Sequence, residues 1–378
     1  MVTVAATSEA MVGAVLSARY RLLRLLGEGG MGAVFDAQDL QGQSHYAIKV
    51  LHPQYAKDER VLSRFYAESE AMSRLLHPNI ARCFGYALAE DRSPYLIMEL
   101  LDGSSLSSYL RPGLAYEPQY AIPITRALLA ALGEAHRQGV VHRDIKPDNV
   151  FLVRNPGGPP IVKVLDFGLA KLMDAAGGMM SQTRTGMLLG TPSYMSPEQI
   201  RDPKAVDRRS DLWSVGIILY ELLTGREAFP APNELAKLTQ VLTTDPPPID
   251  QGKPNLVPWR GFFARALARD PAQRFSSAEE MERAMTAIER AAAAAPVSTT
   301  DLSPELPLGV AVSAAPPQIH VVAPLRASST PPFAPGTTLK ASEMPVLMRT
   351  GAAHWLLALV ALACVALGFV AGFVVGRW

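Results

Sequence analysis

A chain of 378 residues, 48% of them apolar, can bury the core of one large domain or two, and its 36 Lys and Arg against 35 Asp and Glu leave a net charge of +1. That balance gives no support to nucleic acid or any other polyanion as a partner. Cys83 falls in the globular part and Cys364 in a long apolar run, so no intramolecular disulfide is expected and a reducing compartment is.

Residues 1–18 read as a weakly structured leader that lacks the basic start of a secretory signal. The first dense apolar pattern, 20–26, reads as a strand running into Gly27-Glu28-Gly29-Gly30-Met31-Gly32, with 33–37 as the returning strand. Glycine lets the backbone approach phosphate oxygens and aim its N–H groups at them, although a plain hairpin turn has the same spacing. A dinucleotide fold would open a helix at the glycines and place an acid about 20 positions on. Here a strand follows and His52 stands in that place. Ala47-Ile48-Lys49-Val50 then sets one lysine in an apolar strand, where burial is costly unless the amine meets an anion.

Over 59–76, Val61, Leu62, Phe65, Met72, Leu75 and Leu76 recur at helical spacing and predict an amphipathic helix. Residues 95–101 read as a buried strand broken at Asp102-Gly103-Ser104. A largely apolar helix over 120–138, with Pro123 in its first turns, stops at Gly139. It leads into His142-Arg143-Asp144-Ile145-Lys146-Pro147-Asp148-Asn149, a polar loop between apolar runs, and a hairpin turning at 155–160 carries the chain on to Asp166-Phe167-Gly168. A loop between buried segments holds its side chains fixed. Phosphoryl transfer asks for a carboxylate to orient a hydroxyl, cations against phosphate charge, and oxygen ligands for Mg²⁺, and this stretch contains all three.

The octapeptide resembles the catalytic loop of eukaryotic-type protein kinases, and Asp166-Phe167-Gly168 resembles their metal-binding motif. The likeness runs from about Tyr20 to Arg290 and is closest to the bacterial membrane-anchored Ser/Thr kinases. It implies an α+β, two-lobed fold over 19–290, with a small, mainly β N-lobe carrying one helix and a large, mainly α C-lobe. It further implies ATP, with Mg²⁺ or Mn²⁺. By this resemblance Asp144 would take the proton of the substrate hydroxyl and Lys146 would lie against the transferred group. Lys49 would hold the α and β phosphates, paired with Glu68 or alternatively Glu70. Asn149 and Asp166 would be the metal ligands. The nucleotide would lie against Leu26, Gly27, Glu28, Gly29, Gly30, Met31, Gly32, Ala33, Val34, Ala47 and Met98, with the purine on the backbone of Glu99 and Leu101.

Lys146, and Thr191 ahead of Pro192, resemble the pattern for protein Ser/Thr substrates. Residues 166–198 would form the activation segment, in which Ser181, Thr183 and Thr185 are candidate phosphorylation sites and Arg143 a partner for the added phosphate. Ser196 stands where the family more often has alanine. Asp211 resembles the aspartate that braces the catalytic loop, and Arg274 the arginine that pairs with Glu198.

Residues 291–350 are rich in proline and poor in charge and read as a disordered linker. Residues 354–376 contain a charge-free run, 355–375, long enough at about 1.5 Å per residue to span a bilayer. Lys340 and Arg349 before it and Arg377 after it leave orientation open on charge, and dependence on ATP sets the kinase domain in the cytosol. Gly368, Gly372 and Gly376 lie on one helix face, a candidate homodimer seam beside the kinase domain itself. Two other readings remain: a catalytically inactive kinase-like membrane scaffold, and a small-molecule phosphotransferase of related fold.

Overall fold

Strands β2 (Tyr20–Gly29) and β3 (Gly32–Asp39) form an antiparallel hairpin, paired from Tyr20 with Asp39 to Gly29 with Gly32, so the glycines fall at its tip. The computed structural model describes residues 8–30, 32–52, 59–167 and 192–294. Met31, Gly168, Ser181, Thr183, Thr185 and Thr191 lie outside these, as does everything from 295 on, including 354–376 with its Gly368, Gly372 and Gly376 face. Among the described residues no helix is long and apolar enough to cross a membrane.

The hairpin belongs to a six-stranded antiparallel sheet with β1 (Val15–Leu16), β4 (His45–Leu51), β5 (Cys83–Leu88) and β6 (Pro94–Glu99), in the order β1-β2-β3-β4-β6-β5. Helix α1 (Glu59–Arg74) packs against β5 and buries Val61, Phe65 and Met72, as its spacing predicts. Together these make the smaller lobe.

Residues 8–18, the described part of the leader, are more ordered than expected. Residues 8–11 form a short 3-10 turn and β1 pairs with Tyr20 and Arg21. The reason is the sheet: β2 would otherwise begin on an unpaired edge, and the leader pairs with its first residues, Tyr20 to Leu22.

The larger lobe opens with a three-stranded sheet of β7 (Gly103–Ser105), β8 (Val150–Val153) and β9 (Ile161–Val164). Behind it lie α2 (Pro118–Arg137), α3 (Pro197–Arg201), α4 (Arg208–Thr224), α5 (Glu234–Thr243), α6 (Arg260–Ala266) and α7 (Ala278–Ala294). Helix α4 is apolar on nearly every face and is accordingly buried from Ser210 to Thr224. It begins at an Asp207 cap and ends at Gly225, whose φ of 69° and close approach to the backbone of Leu114 and Ala115 admit only glycine. Residues 291–294, expected as linker, continue α7.

Candidate functional site

The cleft between the lobes, about 1420 Å³, gathers most of the polar residues singled out by the sequence. Its walls include Leu26, Gly27, Glu28, Gly29, Gly30, Gly32 and Val34 from the hairpin, and Ala47 and Lys49 from β4. Met98, Glu99 and Leu101 stand at the connector, and Asp144, Lys146, Asn149 and Asp166 face them from the larger lobe. Two expected residues do not line it. Ala33 is buried on the other side of β3, because side chains alternate and Gly32 and Val34 take the cleft face. Glu68 sits half-buried on α1.

Lys49 is 8% exposed, and its amine donates to Asp166 Oδ2 at 2.7 Å. That is its ion pair among the described residues, so the expected pairing with Glu68 is not formed, and Glu70 pairs with Arg74 along the helix instead. A buried ammonium takes whichever carboxylate reaches it, and Asp166 is in reach. Burial would raise the Asp166 pKa, but the charge and hydrogen bond of Lys49, helped by Lys146, outweigh it and hold the group below the usual carboxylate range.

The octapeptide folds as a cross-braced loop ending in a 3-10 turn, Pro147–Asn149. Lys146 Nζ donates to Asp144 Oδ2 at 2.8 Å, and Asn149 Nδ2 donates to the Asp144 carbonyl at 2.7 Å and to its Oδ2 at 3.1 Å. Fully buried His142 donates from Nε2 to the Leu165 carbonyl at 2.7 Å and accepts the Asp144 N–H at Nδ1, 3.2 Å, which fixes the tautomer with hydrogen on Nε2. Its ring meets Phe167 edge-on at 4.6 Å, so the loop is keyed to the segment that carries Asp166.

Arg143 and Asp166 adopt left-handed backbone with φ of 67° and 56°, which costs a non-glycine residue about 1–3 kcal/mol and persists only where neighbours impose it. At Arg143 the neighbours are visible. Asp211, at the start of α4, accepts the N–H of His142 at 2.9 Å and of Arg143 at 2.8 Å, while Gln199 donates to the Arg143 carbonyl at 2.7 Å. His136 Nε2 adds a third donor to Asp211 at 2.8 Å. Burial works against the ionised Asp211, yet the His136 bond and the surrounding charges hold its pKa below the ordinary value. The brace expected of Asp211 is therefore present, and so is the Glu198 pair: Arg274 grips both carboxylate oxygens at 2.7 and 2.8 Å.

Sequence reading missed His136, which looks like one more polar residue late in α2, and also Phe151 and Leu165, which line the cleft. Alternation along β8 was the available signal for Phe151, since Val150 and Leu152 are buried and Phe151 lies on the opposite face.

A protein kinase domain model matches residues 20–285 of this chain. The chain belongs to the protein kinase family. Relatives of this kinase include the serine/threonine-protein kinase pkn3 of Myxococcus xanthus, 39% identical over 282 residues that make up 74% of this chain and 51% of that protein. Pkn1 of the same organism is 42% identical over 267 residues, 70% of this chain and 38% of that protein. The kinase thus spans about half the length of the first relative and less of the second. Among solved structures, the kinase domain of Mycobacterium tuberculosis PknI superposes with a TM-score of 0.57 at 26% identity, covering 73% of this chain and 98% of that one.

Proposed function

We propose that this kinase transfers the γ-phosphoryl group of ATP to serine and threonine hydroxyls of proteins. The observation that carries the reading is the convergence of Lys49, Asp144, Lys146, Asn149 and Asp166 on one cleft. In this reading Asp144 accepts the hydroxyl proton as the nucleophile attacks, and Lys146, already on its carboxylate, faces the transferred group. Lys49 takes up α- and β-phosphate charge, and Gly27 to Gly32 bring backbone N–H groups to the phosphates. Met98 and the backbone of Glu99 and Leu101 receive the adenine.

The donor set fits a hard divalent cation. Asp166 supplies an ionised carboxylate, and Asn149, whose nitrogen is committed within the loop, supplies an amide oxygen. The described residues contain no group of three or more His, Cys, Asp or Glu able to hold a metal alone, so Mg²⁺ here would draw its other ligands from phosphate and water. When bound, the ion neutralises phosphate charge. Glu68 on α1 would be the carboxylate partner of Lys49 in the ATP-bound kinase, as the family likeness implies.

Asp144→Asn should abolish autophosphorylation from labelled ATP with the melting temperature unchanged. Retained labelling would defeat the assignment. Ser181, Thr183 and Thr185 are the expected acceptors, to be identified by phosphosite mapping of the wild type beside that variant.

The same reading places the kinase at the membrane through residues 354–376, catalytic domain in the cytosol, with Gly368, Gly372 and Gly376 as a dimer seam. Support comes from the charge-free run 355–375. The full chain should sediment with membranes and resist carbonate extraction, and a chain ending at 350 should stay in the supernatant. Equal partition of the two would sink the anchor.

A further inference from the structure

We infer that the segment ahead of β2 is a strap that sets the glycine-rich loop, with Ser8 as a positioning residue for ATP. The inference rests on the loop binding ATP, as proposed above.

The root of the strap is fixed to the sheet. Beyond the β1 pairing, the Gly13 amide donates to the Leu22 carbonyl at 2.8 Å and the Leu22 amide to the Ala14 carbonyl at 2.9 Å. The turn that reverses the chain passes through Ser17 and Ala18, with φ of 51° and 50°. Ser17 Oγ donates to the Leu88 carbonyl at 3.1 Å and accepts the Tyr95 hydroxyl at 2.7 Å, tying the turn to two further strands. Arg19 grips buried Asp39 through two hydrogen bonds of 3.0 and 2.7 Å. From this root the segment runs antiparallel to β2, toward the glycines. At its far end, Ser8 Oγ donates to Glu28 Oε1 at 2.6 Å.

Glu28 stands between Gly27 and Gly29, and a Cβ added at either glycine would meet nothing within 4 Å. Side-chain packing at these glycines therefore adds nothing to the β2–β3 ladder, which pairs Gly27 with Val34, Glu28 with Ala33 and Gly29 with Gly32, and the polar side-chain contacts of Glu28 supplement it. His52 adds a second contact, donating to the Gly29 carbonyl at 3.0 Å and lying 4.0 Å from Glu28 Oε1. A hydrogen bond to a carboxylate is of the stronger kind. Holding Glu28 restricts the positions of the neighbouring N–H groups before nucleotide arrives, which is preorganisation and acts on affinity more than on the chemical step.

The test is Ser8→Ala in the full chain. The KM for ATP should rise roughly three- to ten-fold, the loss of one hydrogen bond, with kcat within about two-fold and the melting temperature unchanged. Ser8→Thr, which keeps the hydroxyl, should restore the KM. Hydrogen exchange without nucleotide should show the amides of 26–30 exchanging faster in Ser8→Ala than in wild type. Equal KM and equal exchange would overturn the inference, as would a raised KM that threonine does not rescue. A wild type with no affinity for ATP would overturn the kinase reading instead, and the exchange comparison would still decide whether the strap holds the loop.

Discussion

At the scale of single residues, the glycines of the loop divide into two kinds that the sequence pattern does not distinguish. A Cβ on Gly32 would sit 2.0 Å from the Val50 carbonyl oxygen of the neighbouring strand, whereas Gly27 and Gly29 face open space. Gly32→Ala should therefore force β3 and β4 apart and cost at least about 2 kcal/mol of stability. Gly27→Ala should leave the unfolding free energy from urea titration within about 0.5 kcal/mol of wild type and weaken ATP binding. Comparable loss of stability in both variants would remove the distinction. The octapeptide 142–149 was legible as one fixed polar loop on the cleft because its members are contiguous and lie between apolar runs. The partner of Lys49 was not, since Asp166 lies 117 positions away and only the fold brings the two together. Ala33 was misplaced for a local reason: a run of residues assigned to a ligand must alternate once it becomes a strand.

Among the elements, α4 organises the larger lobe, and its first turn carries the side chains that hold the loop 142–149 and helix α3. Asp211 fixes the backbone of His142 and Arg143, and one residue earlier Ser210 donates to Glu198 Oε1 at 2.5 Å. Glu198 is in turn locked by Arg274, whose side chain is 0% exposed and whose guanidinium lies 4.8 Å from the centre of the Trp213 ring. Burial disfavours the charged Glu198, and Arg274 more than compensates, so the carboxyl is held below its ordinary pKa. Arg274→Met keeps the volume but strands that carboxylate, and a loss of about 3–5 kcal/mol is expected, read as a lower urea midpoint with unchanged slope. A change under about 1 kcal/mol would mean the pair is not load-sharing in the way its burial implies. Helices α1, α2 and α4 were legible because a 3.6-residue apolar period or an unbroken apolar run needs no partner to be seen. The leader was not, because its order comes from the free edge of β2 and not from its own sequence.

For the molecule as a whole, the two lobes were legible through family likeness, but the ties between them were not. Lys163 on β9 donates to Glu99 at 2.7 Å, and Asn79 donates to the Val162 carbonyl at 2.8 Å, so the strand leading to Asp166 is stitched to the connector and to the loop ahead of β5. Global stability also carries a pH signature that balanced charge conceals. Glu221, 8% exposed on α4, is pushed up to about 7 by burial, against the opposing hydrogen bond from the Tyr194 hydroxyl at 2.7 Å, with Glu227 raising it and Lys237 lowering it. Below pH 4.5, the ordinary value for the unfolded chain, both states hold the proton and Glu221 is silent. Between 4.5 and about 7 only the folded state holds it, so stability falls as pH rises, and above about 7 the loss is complete. Asp166, Asp211 and Glu198, all held low, act in the opposite sense: their contribution is present at neutral pH and is lost as pH falls through their depressed values. Glu221→Gln keeps an oxygen for Tyr194 and removes the titration. Across pH 4.5 to 7 the wild type should therefore lose on the order of 3 kcal/mol more unfolding free energy than the variant, while the acid limb stays common to both. Parallel curves over that window would show that Glu221 ionises in the folded protein as freely as in the unfolded chain.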